Sequence, residues 1–105
     1  MRRRAGWMLC LLLAGCGHAL VDESDRLARA GDFEAAFASL ESALARRPDD
    51  PALRTAYDRA RDRVVVRALA MAELALAGGR SEEAQRLVER VRRLDSKHPR
   101  LAALD

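Results

Sequence analysis

The sequence is short of the residues that usually build chemical sites. Its 105 residues include two cysteines, two histidines, six glycines and four aromatics, Trp7, Phe33, Phe37 and Tyr57. So few aromatics exclude a base-stacking platform or a large aromatic-lined ligand pocket. His18 and His98 lie at opposite ends of the chain, with no cysteine or acidic ligand cluster beside either, so no metal site is expected. Ser24, Ser39, Ser42, Ser81 and Ser96 have no histidine placed by any motif to serve as base, and no glycine-rich loop is available for phosphates. Asp58 and Asp62, spaced as paired carboxylates on a helix, sit among arginines and read as a salt-bridged solvent face. The expectation is therefore no catalytic residues, no cofactor and no small-molecule substrate. Half of the residues are apolar, too many for a disordered chain, and the length suits one small domain.

Charge, in contrast, is plentiful. Lys and Arg number 19 against 16 Asp and Glu, a formal +3. A basic balance invites a nucleic-acid partner, but its placement argues otherwise. Arg2, Arg3 and Arg4 open the chain, and the run from Gly6 to Gly15 is uncharged, holding Trp7, Met8, Leu9, Leu11, Leu12 and Leu13. A positive segment followed by a short apolar one is the physical design of an export signal, and the run is well short of the ~20 residues that span a bilayer. Removing residues 1–15 takes three arginines and no acid, which leaves 16 basic residues against 16 acidic ones. No nucleic-acid partner is expected of a chain with no net charge.

The signal ends in Leu13-Ala14-Gly15-Cys16, which resembles the lipobox of bacterial lipoproteins in both motif and context. The resemblance implies cleavage before Cys16, diacylation of its thiol and acylation of the new amino group. It divides the chain into a signal peptide at 1–15, a lipidated tether at 16–20 and a domain at 21–105. Cys10 would leave with the signal and Cys16 would carry lipid, so the mature chain would have no disulfide. Several acyl chains make a stable anchor. In the enteric sorting rule Asp after the lipidated cysteine retains a lipoprotein in the inner membrane. Gly17 thus implies the outer membrane, on its periplasmic face.

From Val21 onward the spacing predicts helix, with no stretch alternating over a strand's length. Breaks fall at Gly31-Asp32, at Arg47-Pro48-Asp49-Asp50-Pro51, at Gly78-Gly79 and at Lys97-His98-Pro99. Phe33, Ala36, Phe37, Leu40, Ala43 and Leu44 mark the buried stripe of the second segment, with Asp32 as N-cap. The fourth segment repeats the pattern with Ala84, Leu87, Val88, Val91 and Leu94. Ser81 is its expected N-cap, and Glu82 with Arg86 and Glu89 with Arg93 are its expected ion pairs. The third segment, Ala52 to Ala77, is long and unbroken. Its first half carries one stripe of Leu53, Tyr57, Ala60 and Val64. Its second half, Val64 to Ala77, is apolar nearly all round except for Arg67 and Glu73. Such a helix lies between two neighbours or keeps one face for a partner. The candidate partner-binding residues are therefore Val64, Val65, Arg67, Leu69, Met71, Leu74 and Leu76. Arg59, Arg63 and Arg67 form one basic ridge and Arg86, Arg90 and Arg93 another, both interleaved with acids.

The turn Gly31-Asp32-Phe33 followed by Ala36, Leu40, Ala43-Leu44 and Pro48 resembles the second helix of tetratricopeptide repeats. Leu27 and Leu20 stand where the first helix of that repeat carries aromatics. A second, partial unit runs from Gly79 through Ala84, Val88 and Val91 to Leu94-Asp95, with Ser96 where proline is usual. The resemblance implies an all-α fold of antiparallel helical hairpins, a solenoid fragment with one elongated helix. A lipobox, one compact repeat, an arginine-rich long helix and a second unit ending Leu94-Asp95 also resemble the head of lipoprotein secretins of type II secretion and pilus systems. That implies an assembly module whose partner is an envelope protein such as a secretin. A pilotin-like accessory and a remnant of a longer secretin are the alternatives. A small envelope enzyme or cell-wall-binding lipoprotein would need a polar cleft that the sequence does not display.

Overall fold

A computed structural model describes residues 17–104, and these form five helices with no strand among them. The first, α1, is helical over the described residues 17–29. Then follow α2 (Phe33–Arg46), α3 (Pro51–Ala77), α4 (Ser81–Leu94) and the single turn α5 (Leu101–Leu104). The expected signal peptide lies outside the described residues. Residues 17–20, expected as tether, are part of α1, and Gly17 is buried.

The breaks occur where the backbone needs them. At the end of α1 the amide of Asp32 donates to the Leu27 carbonyl and that of Gly31 to Ala28, a Schellman pair closed by Gly31 at φ +85°. The same pair recurs after α3, where Arg80 donates to Ala75 and Gly79, at φ +75°, to Leu76. Only glycine takes that left-handed conformation without a Cβ penalty. Asp32 caps α2, its Oδ1 accepting from the Ala35 amide at 3.1 Å. Asp50 caps α3 more fully, with Oδ1 accepting from Ala52 and Leu53 at 3.0 and 3.2 Å. Pro51 at the first helical position lacks only an amide that would have had no helical partner.

Ser81 is not a cap. It is the first residue of α4, and Arg80 occupies the cap position with no side-chain hydrogen bond to the helix. Acidic side chains serve instead: Glu82 and Glu83 lie in the first turn against the positive end of the helix, and Arg80 Nε donates to Glu83 at 2.9 Å. The ion pairs of α4 also differ in register from expectation. Glu89 accepts from Arg92, three residues on, rather than from Arg93.

The chain divides into two compact units, the first ending at Ala60 and the second beginning at Arg61, so α3 contributes to both. In the first unit the buried side chains are Ser24, Ala36, Phe37, Leu40, Ala43, Leu53 and Ala60. They repeat at helical spacing on α2 because one stripe alone is desolvated. The rings of Phe37 and Tyr57 pack at 5.4 Å with their planes tilted by 31°, an offset geometry favoured by aromatic quadrupoles. On the solvent side of α1, both carboxylate oxygens of Glu23 accept from Arg26. That hydrogen bond holds Glu23 below the usual carboxylate range against the opposing effect of desolvation, and the nearby Arg26 charge adds a smaller pull in the same direction. The pair supports α1 above the ordinary Glu range and is lost as pH falls through the lowered value.

In the second unit Val65, Ala68, Leu69 and Ala72 of α3 meet Val88 and Val91 of α4 and Leu101 of α5. Leu87, Leu94 and Leu104 close the margins of this cluster. The small alanines allow close approach of the helices, while Leu69 and Val91, both fully buried, fill the volume between them. Arg100, just before α5, makes an ion pair with Glu73 of α3.

Replacing Leu69 with Ala should lower stability in chemical denaturation by about 2–5 kcal/mol, because α3 and α4 cannot close the cavity fully. Asp32→Ala removes one cap and should cost about 1 kcal/mol. A loss as large as that of Leu69→Ala would mean Asp32 holds more than the first turn of α2.

Candidate docking surface

An α-helix advances 100° per residue, so an all-apolar helix with neighbours on one flank must present the rest outward. In α3 the inward set is Val64, Val65, Ala68, Leu69, Ala72 and Ala75. The outward set includes Val66, Ala70, Met71, Leu74 and Ala77. Val66, Ala70 and Leu74 succeed each other every fourth residue in one line. Among the described residues the exposed large hydrophobics are Val66 (55%), Met71 (43%), Leu74 (67%) and Leu76 (44%). All four belong to this one half-helix. Leu76 lies about 200° round the helix from Leu74, toward α4, whereas Val66, Met71 and Leu74 share the outward side, and clustered exposed hydrophobics of this kind are less ordinary on a soluble surface than scattered ones.

The residues expected to bind a partner are therefore divided by the fold. Val64, Val65 and Leu69 are at most 2% exposed and serve the interior. Arg67, Met71, Leu74 and Leu76 are exposed, and Val66, which the pattern of the sequence did not single out, joins them. Hydropathy alone treats Val64, Val65 and Val66 as equivalent. Only the direction from which neighbouring elements approach separates them.

Leu76 also borders a second feature. Together with Ala84, Val88 and Leu104 it forms the apolar floor of a groove of about 290 Å³, whose rim carries Ser81, Gln85, Glu89 and Arg92. The rim charges are already joined, with Arg92 Nη1 donating to Glu89 at 2.5 Å. An apolar floor with a neutralised polar rim suits a side chain or helix edge of another protein. Its volume is at the lower end of the range of clefts that enclose ligands.

The remaining candidates fall into place. Cys16 and the lipobox residues Leu13, Ala14 and Gly15 lie outside the described residues. His18 is on α1, and His98 is in the turn before α5, where its Nδ1 accepts from the Arg100 amide at 3.2 Å. Asp62 accepts from Arg61 at 3.4 Å on the solvent face. Arg59, Arg63 and Arg67 are exposed along α3. Arg86 and Arg93 share a shallow hollow on α4 with Glu82 and Glu89, so acids interrupt that ridge. Among the described residues no group of three potential ligands is placed to hold a metal, and no helix is long and apolar enough to cross a membrane.

The family model described as tetratricopeptide repeat matches residues 27–104. Comparison with curated proteins and with solved structures gave no match. The matched region takes in the end of α1, the whole of α2, α3 and α4, and α5. Such repeats stack helix pairs that each contact their neighbours and leave extended faces for protein partners. They act typically as protein–protein interaction modules rather than enzymes. With its glycine-closed hairpins, small-residue packing and an apolar helix face left outward, the chain belongs to the tetratricopeptide repeat family.

Proposed function

We propose that this chain is a lipid-anchored protein of the bacterial outer membrane, facing the periplasm, that docks another envelope protein through the outward face of α3. The partner is a component of a secretin-type secretion or pilus apparatus. One observation carries the docking part: Val66, Met71, Leu74 and Leu76, the exposed large hydrophobics among the described residues, lie on a single half-helix. The anchor is supported by the order of Arg2–Arg4, an uncharged run and Leu13-Ala14-Gly15-Cys16. The envelope partner is supported by the combination of that anchor with a short repeat module and an elongated helix.

The mechanism is binding and tethering. The lipid confines the module to a surface, which raises the effective concentration of any membrane-bound partner and lets a modest apolar interface suffice. Burying one exposed leucine stabilises a complex by about 1.5–3 kcal/mol. Three or four such side chains are enough for specific association once the entropy of encounter is reduced by the membrane.

Cys16→Ser should move the protein from the membrane pellet to the soluble fraction after export. Continued sedimentation with outer membrane would refute the lipid anchor. For the docking face, Val66→Asp with Leu74→Asp should change folding stability by no more than about 1 kcal/mol in total, about 0.5 kcal/mol at each exposed position. The same pair should abolish photo-crosslinks formed from position 71 in intact cells. Crosslinks that persist at full yield would place the interface elsewhere.

A further inference from the structure

The outward face of α3 is neither flat nor uniform. A helix offers a second helix a series of holes, each made by residues i, i+3, i+4 and i+7. Arg67, Ala70, Met71 and Leu74 stand in that relation, and all four are exposed. Ala70 is the smallest of them, so the hole has depth beside Met71 and Leu74. The next hole toward the N-terminus is made by Arg63, Val66, Arg67 and Ala70, again exposed throughout. It shares two residues with the first, but its outer corner is a cation. One hole follows the other at the three-to-four-residue spacing with which one side of a helix presents its side chains.

Charge divides the face in the same way. The residues three and four away from Arg63 along α3 are Arg59, Ala60, Val66 and Arg67, so no acid on its own helix is spaced to pair with it. The adjacent Asp62 lies about 100° round the helix and accepts from Arg61. At the other end of the face Glu73 is paired with Arg100, and those charges cancel. We propose that the occupant of this face is an amphipathic helix of the partner protein. It sets an apolar side chain in the hole at Ala70, Met71 and Leu74, and an Asp or Glu, one step along its own face, on Arg63. The inference rests on the docking reading above and adds to it the chemistry of the partner. No contact within the chain has to break: Arg67 keeps the one it has, Glu73 keeps Arg100, and the new ion pair falls to Arg63. A second copy of this chain fits less well, because it brings the same arginines and the acid it offers there, Glu73, is already paired. Arg63 also selects against a basic helix, since like charges set together at an interface repel.

A photo-crosslinker at position 71 of the full chain in intact cells, followed by mass spectrometry of the joined peptides, reads the occupant directly. The joined segment should carry apolar residues at helical spacing and an Asp or Glu three or four residues from the crosslinked site. Arg63→Glu should lower the crosslink yield several-fold and Arg63→Lys should keep most of it. Neither substitution should change the circular dichroism or thermal melting of the purified protein. A joined segment without such an acid, or a yield that Arg63→Glu leaves unchanged, would overturn the acidic helix while leaving α3 as the docking face. Crosslinks to lipid, or to α3 of a second copy, would overturn it in favour of those occupants. Absence of any crosslink from position 71, or crosslinks that persist in Val66→Asp with Leu74→Asp, would refute the docking reading and this inference with it.

Discussion

The second unit depends on the desolvation of one flank of α3. Val65, Ala68, Leu69 and Ala72 gain nothing as an isolated helix, since a lone helix leaves them in water. They become a core only when α4 lays Val88 and Val91 against them and α5 adds Leu101. The tight turn at Gly78-Gly79 and the Schellman bonds of Gly79 and Arg80 bring α4 back at once. The alanines at 68 and 72 keep the helices close. Loss of contact on this flank would leave α3 with apolar surface on every side.

That constraint also defines what α3 can offer to others. A helix covered on one flank has a second flank, and in most surface helices it is polar. Here Val66, Ala70, Met71 and Leu74 occupy it, bordered by Arg67 and by Glu73, which is engaged by Arg100. The same composition that makes the half-helix dependent on α4 and α5 makes its outer face adhesive. Packing and the proposed docking are two sides of one apolar segment, in a chain whose repeat family typically mediates protein–protein interaction.

Much of the fold was legible because punctuation and periodicity are local. Gly31 and Gly79 take positive φ where the spacing placed turns, Asp32 caps α2, and the stripe Ala36, Phe37, Leu40, Ala43 is buried as its spacing implied. Errors arose where several local solutions were equivalent. Ser81 looks like a cap, yet the Schellman turn after α3 consumes Arg80 as the flanking residue and draws Ser81 into the first turn of α4. Asp50, read only as part of a break, is the stronger cap because Pro51 follows it and fixes the start of α3. Glu89 finds Arg92 rather than Arg93, since three- and four-residue spacings both bring side chains together on a helix.

Sequence by itself determined the helices, their ends, the charge balance of the chain after residue 15 and the lipobox-like segment, because each rests on neighbouring residues or on composition. Tertiary structure decided which of three consecutive valines is available. Val64 and Val65 turn inward and Val66 outward, 100° apart on one helix and indistinguishable in hydropathy. It likewise placed Gly17 against Asp50, residues 33 apart in sequence. Those relations depend on which elements approach and from where, and no local pattern encodes the direction of approach.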